Sequence, residues 1–172
     1  MYKRFLGLSP MEWAIMILGV SGISCYYFLF PSTWWKILIT GYGIGLTFET
    51  STDPLFEYHA QLRDKHCIGK TDINFIFPIG WLGIYGFSAY LAETFLPFHI
   101  MLNYVIGGIL IGNICEFAYF KSKCWTYNYS ASWIGTFKPF WPKITIAGVP
   151  VMVVFGYGTI GLVIYALCHI IH

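Results

Sequence analysis

Charge is what this sequence has least of. Only 10% of its 172 residues are Asp, Glu, Lys or Arg, against about 25% in a soluble domain. There is no run of basic residues, so the electrostatic footprint of a nucleic-acid binder is missing and no such partner is expected. Paired cysteines are missing too. Cys25, Cys67, Cys115, Cys124 and Cys168 form no CxxC spacing and read as small buried thiols. The histidines fall in no HxxxH or HExxH pattern, and Glu57, His59 and His66 match no standard metal spacing, so no metal site is expected. His99, His169 and His172 receive no role.

Apolar and aromatic residues fill the space that charge leaves. Hydrophobic residues make up 57% of the chain and aromatics 20%, with 7 Trp and 13 Tyr; the mean hydropathy is +0.63. That composition indicates a polytopic membrane protein with aromatic belts at the interfaces. A bilayer span takes about 20 apolar residues, and five stretches qualify: about 11–30, 34–50, 73–94, 97–119 and 144–171. The first follows Met1-Tyr2-Lys3-Arg4 like a signal peptide. It is long enough to span, however, and no small-x-small cleavage site comes after it, so it reads as a retained helix.

Positive charge orients the bundle. With the N-terminus in the cytoplasm, Lys3, Arg4, Arg63, Lys65, Lys70, Lys121, Lys123, Lys138 and Lys143 all fall on the inner side, and Lys36 alone falls outside. The C-terminus then lies on the opposite face. The polar stretches at about 51–72 and 120–143 share the cytoplasmic side.

A repeat organises these spans. Gly41-x3-Gly45-x3-Glu49 closes the second apolar stretch and Gly108-x3-Gly112-x3-Glu116 closes the fourth. Each is followed by a polar, aromatic-rich stretch and then by Pro-x6-Tyr-Gly: Pro78 to Tyr85-Gly86, and Pro150 to Tyr157-Gly158. The fold expected is an all-α membrane protein: a five-helix transmembrane bundle, one domain over 1–172, with an N-terminal helix and two parallel two-helix repeats. Parallel repeats are related by an axis along the membrane normal, which would bring Glu49 and Glu116 to facing positions across a cavity.

Glycines four apart leave a flat stripe for close helix packing, and an acid at the next i+4 step shares that face. Each Glu should therefore point into the bundle, where an acid is costly and marks a functional site by default. A desolvated carboxyl keeps its proton to higher pH, and aromatic faces stabilise cations. Together these suit carbocation chemistry, in which an acid protonates an alkene or epoxide and rings shield the cation from water. Glu49 and Glu116 are the candidate catalytic acids. Asp53, Glu57 or Asp72 would contribute a further acid, and Asn74 would orient a carboxyl or a water. Trp81, Tyr85, Trp125, Tyr127, Asn128 and Tyr157 are the candidate substrate-binding residues. The alternative for the aromatics is an interfacial belt, and for each Glu a helix end reaching out to water.

The phrase Glu116…Trp125-Thr126-Tyr127…Gly148-Val149-Pro150-Val151…Gly156-Tyr157-Gly158 resembles a pattern in membrane carotenoid-biosynthesis proteins. More distantly, the layout is similar to membrane-bound meroterpenoid cyclases. The resemblance covers 116–158, and the repeat extends it to 41–158. Fungal meroterpenoid cyclases have more spans than the five read here, and the Pro-rich acidic signature of heterodimeric lycopene cyclases is absent. Only Glu116, and Glu49 through the repeat, fall on the family's acid positions. The resemblance implies a cyclase, hydratase or isomerase that acts on a lipophilic isoprenoid within membrane lipid and uses no cofactor. Two other functions fit the same residues: a small proton-coupled transporter, or a non-catalytic subunit that docks into a membrane complex or a homo-oligomer through its glycine stripes.

Overall fold

The computed structural model describes residues 5–58, 75–128 and 144–170. They form five helices: α1 (Pro10–Leu29), α2 (Trp34–Thr52), α3 (Phe77–Thr94), α4 (Ile100–Lys121) and α5 (Val151–His169). By length and composition α1, α4 and α5 are able to cross a membrane. Large apolar side chains such as Ile17, Phe28, Ile39, Ile114 and Phe155 are exposed on the outer surfaces of the bundle.

The start of α1 holds a buried acid, Glu12, in a capping role. The Glu12 carboxylate accepts from the Ser9 backbone N–H at 2.7 Å, and the Ser9 hydroxyl accepts from the Glu12 N–H at 3.2 Å. With Pro10 at the first helical position, this capping box satisfies amide donors that the first turn leaves without partners.

Helix α3 is central and touches all the others. It runs parallel to α1, and the two backbones meet at Gly22, Gly83 and Gly86, where no Cβ would fit. Close backbone seams of this kind are what hold helices together where lipid surrounds them. Helices α4 and α5 are antiparallel and pack the same way, with Gly108 against the backbone of Tyr157 and Gly161. At the end of the bundle where α3 passes to α4, the Asn103 amide donates to the carbonyls of Ala92 and Leu96 at 3.1 and 2.7 Å and accepts from the Phe98 N–H at 3.1 Å.

The opposite end departs from an all-helical reading. Strand β1 (Phe56–Tyr58) follows α2 through a short 3-10 turn, and β2 (Trp125–Tyr127) follows α4. They pair antiparallel, with Glu57 opposite Thr126, so the segment after each acid-bearing helix joins its counterpart. Residues 144–150, expected as the start of the fifth helix, instead form a hairpin of β3 (Thr145–Ile146) and β4 (Val149–Pro150). Its two turn residues are left-handed, Ala147 at φ 52° and Gly148 at φ 89°. Two consecutive positive φ values make the tight turn that suits twisted antiparallel strands, and α5 begins only after β4 has paired, with Pro150 as its N-cap. Helix α3 begins at Phe77 rather than near 73, and residues 73 and 74 lie outside the described residues. The other ends agree with expectation to within three residues.

Candidate functional site

The two glycine stripes carry their acids inward. On α2, Gly41 lies against the Tyr85 ring and Gly45 against Trp81; one turn further, Glu49 Oε1 accepts a hydrogen bond from the Trp81 indole Nε1–H at 2.5 Å. On α4, Gly112 lies against the Tyr157 ring, too close for any Cβ; one turn further, Glu116 Oε2 accepts from the Tyr157 hydroxyl at 2.7 Å. Glu116 is only 4% exposed. Its other oxygen, Oε1, accepts from the Trp125 indole at 3.0 Å and from the Tyr127 hydroxyl. Strand β2 makes this possible: alternate residues of a strand share a face, so Trp125 and Tyr127 both turn toward Glu116 while Thr126 between them is exposed.

The repeat is therefore chemically unequal. Tyr85 and Tyr157 occupy the same place in the Pro-x6-Tyr spacing, yet only Tyr157 binds an acid. On α3 the donor is Trp81, four residues earlier, and the Tyr85 hydroxyl is buried with no hydrogen-bond partner among the described residues.

Both acids line one cavity of about 410 Å³, in the range of small-molecule sites. Its wall includes Trp81, Ile84 and Phe77 of α3, Tyr119 and Cys115 of α4, Trp125, and Tyr157 and Ile160 of α5. Phe48 and Thr52 of α2, Phe56 of β1, and Ile15 and Leu18 of α1 complete it. Rings stack through this wall: Trp81 lies 6.1 Å from Tyr157 and 5.0 Å from Phe48, and Trp125 lies 5.3 Å from Tyr119. The cavity reaches the side of the bundle at the exposed residues Met152, Gly156 and Thr159 of α5 and at Phe48 of α2. Helices α2 and α5 touch only lightly, which leaves this flank open.

Of the residues singled out from sequence, Glu49, Glu116, Trp81, Trp125 and Tyr157 line the cavity. Tyr127 stands behind Glu116 and Tyr85 lies in the core, so neither forms the wall. Asp53 opens the 3-10 turn after α2 and is not in the wall. Asn128 holds the strand pair through its backbone N–H, which donates to the Leu55 carbonyl at 2.8 Å. Asp72 and Asn74 lie outside the described residues. Among the described residues no group of His, Cys, Asp and Glu is placed to hold a metal ion.

Sequence reasoning missed Cys115, Tyr119, Thr52 and Gly156 as wall residues. Cys115 and Tyr119 flank Glu116 on α4 at i−1 and i+3, a signal that was there to use. It also missed a polar cluster at the other end of the bundle. The Glu93 carboxylate accepts from the Tyr104 hydroxyl at 2.8 Å and lies 2.9 Å from His169 Nε2.

No family model, no curated protein and no solved structure matches this chain.

Proposed function

We propose that the chain is an integral-membrane isoprenoid cyclase or isomerase that starts its reaction by protonating a carbon–carbon double bond or an epoxide. The observation that carries this reading is the placement of two carboxyl groups, Glu49 and Glu116, in the wall of a single apolar, ring-lined cavity. In this reading all five helices span the bilayer, the N-terminus is cytoplasmic, and the C-terminus is on the opposite side.

The two acids divide the work. One carboxyl donates the first proton and the other takes up the last; the three donors on Glu116 and the Trp81 indole on Glu49 hold them in place. The proton adds to the substrate double bond, whose π electrons form the new C–H bond and leave a carbocation. The faces of Trp81, Trp125 and Tyr157 and the negative charge of the ionised partner carboxylate stabilise that cation. In a cyclisation an internal double bond attacks the cation, closes a ring and leaves a new cation; in both cases the ionised carboxylate then removes a neighbouring proton and the C–H electrons form a new double bond. Proton exchange with water returns the pair to its starting state. Positioned proton transfer of this kind contributes about 10² to 10⁴ in rate. The apolar wall excludes water that would otherwise capture the cation.

The test is mass spectrometry of the lipids that co-purify with wild type, Glu49→Gln and Glu116→Gln. An isoprenoid whose structure differs between wild type and either variant supports the reading. Bulk phospholipid alone in all three samples sinks it.

A further inference from the structure

The charges and surfaces of the cavity wall suit a ligand that carries its own positive charge. Glu49 and Glu116 line the cavity, and among the described residues no Lys, Arg or His does. Glu116 is the more buried of the two acids. Its donors are the Trp125 indole and the Tyr127 and Tyr157 hydroxyls, all neutral groups. They hold the carboxyl oxygens but bring no positive charge. A carboxylate has about four acceptor sites, so three donors do not saturate it. An ionised carboxyl in an apolar surrounding is costly unless an opposite charge pairs with it.

Rings supply the other half of such a site. Trp81, which donates to Glu49 at 2.5 Å, lies 6.1 Å from Tyr157, which donates to Glu116 at 2.7 Å. Phe48 lies 5.0 Å from Trp81, and Trp125 lies 5.3 Å from Tyr119. These five rings and both acids border one space of about 410 Å³. Ring faces attract cations, most strongly where water is excluded, and they serve even a quaternary ammonium with no N–H to donate. Leu18, Ile84, Val153 and Ile160 give the same wall an aliphatic part, which matches an apolar tail. A tail longer than the cavity can leave at its side opening, past Phe48, Met152 and Gly156. An anionic head group would instead meet like charge on the wall.

We infer that the cavity binds a lipophilic monocation, an amine or quaternary ammonium with an apolar tail. Its head packs against the Trp81 and Tyr157 rings and pairs with Glu116. Its tail runs along the aliphatic wall toward the opening between α2 and α5. One positive charge balances one ionised carboxylate, and a proton on the second carboxyl leaves the filled site neutral. The inference shares the cavity with the reading above but needs neither an isoprenoid nor a proton transfer.

The experiment immobilises the full chain in dodecyl maltoside micelles and equilibrates it with radiolabelled decyltrimethylammonium. A second sample receives the neutral isostere, in which a tert-butyl group replaces the trimethylammonium head. Each result is corrected for uptake by protein-free micelles. Wild type should hold the ammonium at least about tenfold more tightly than the isostere. Glu116→Gln, which keeps the shape of the side chain, should weaken ammonium binding about tenfold and leave the isostere unaffected. Glu93→Gln removes an acid at the opposite end of the bundle, 2.9 Å from His169 Nε2, and should change neither. Equal retention of ammonium and isostere by wild type overturns the inference without recourse to any variant. So does ammonium binding that is unchanged in Glu116→Gln or that falls as far in Glu93→Gln. Isoprenoid turnover combined with equal retention rejects the cation site alone. An ammonium held tightly by a chain that co-purifies only with phospholipid rejects the isoprenoid reading alone.

Discussion

Tyr157 of α5 donates its hydroxyl to Glu116 of α4 across 2.7 Å. The same ring packs on Gly112 and lies 6.1 Å from Trp81, whose indole donates to Glu49. One side chain thus fixes the α4–α5 seam, orients one carboxylate and stands beside the donor to the other.

Tyr157→Phe should separate these duties. The ring stays, so the seam keeps its shape, and one hydrogen bond to a carboxylate is lost. Hydrogen bonds to charged groups are worth about 1.5–3 kcal/mol, and 1.36 kcal/mol is tenfold in rate. Turnover of the substrate identified by co-purification should fall about tenfold to a hundredfold. Thermal unfolding in detergent should change far less than in Tyr157→Ala. Unchanged turnover would remove Tyr157 from the positioning of Glu116.

The glycine stripes make a sharper prediction about stability. A methyl group at Gly112 would run into the Tyr157 ring, whereas one at Gly43 meets nothing within 4 Å. Gly112→Ala should cost about 1–3 kcal/mol through overpacking, and Gly112→Leu or Gly45→Leu should disrupt folding more than Glu49→Gln does. Gly43→Ala should cost nothing. Equal unfolding temperatures for Gly112→Ala and Gly43→Ala would show that the α4–α5 seam is looser than described.

Parts of this arrangement were legible in the sequence for a simple reason. A helix returns to the same face every three to four residues, so Gly-x3-Gly-x3-Glu had to place its acid on the packed side, and both copies do. Helix identity was equally plain from the long apolar runs. That Trp81 donates to Glu49 was not legible: Trp81 and Tyr85 were both candidate substrate-binding residues, and it is Trp81 that reaches the carboxylate while Tyr85 packs along Gly41. That outcome depends on how far α2 slides along α3, which periodicity does not encode. Glu93 and His169 meet only because the ends of α3 and α5 converge, so neither residue signals the pair alone. The hairpin at 145–150 was hidden because hydropathy does not distinguish a short apolar strand from the first turns of a helix.

That hairpin has its own test. Gly148 is left-handed, and a Cβ there would also meet the Phe120 ring at 2.7 Å. Gly148→Ala should therefore destabilise by about 1–2 kcal/mol from backbone strain alone. Ala147 already bears that strain, so Ala147→Gly should be neutral or stabilising. The two variants should move the unfolding temperature in opposite directions. A shift of the same sign in both would argue against a turn with two left-handed residues.

Gly156 offers the most direct probe of the cavity. It lines the opening on α5, is exposed, and has nothing within 4 Å of where a Cβ would stand. Gly156→Phe should be accepted by the fold, because the new ring projects into open space rather than into a packed seam. The same ring would take up much of a 410 Å³ cavity. Unfolding temperature should stay near that of wild type, while co-purified lipophilic ligand falls several-fold. Gly43→Phe, exposed on α2 and outside the cavity wall, is the matched control and should leave ligand content unchanged. If Gly156→Phe folds and still binds as wild type does, the ligand does not occupy the space between Glu49 and Glu116, and the acid-initiated reading loses its geometric basis.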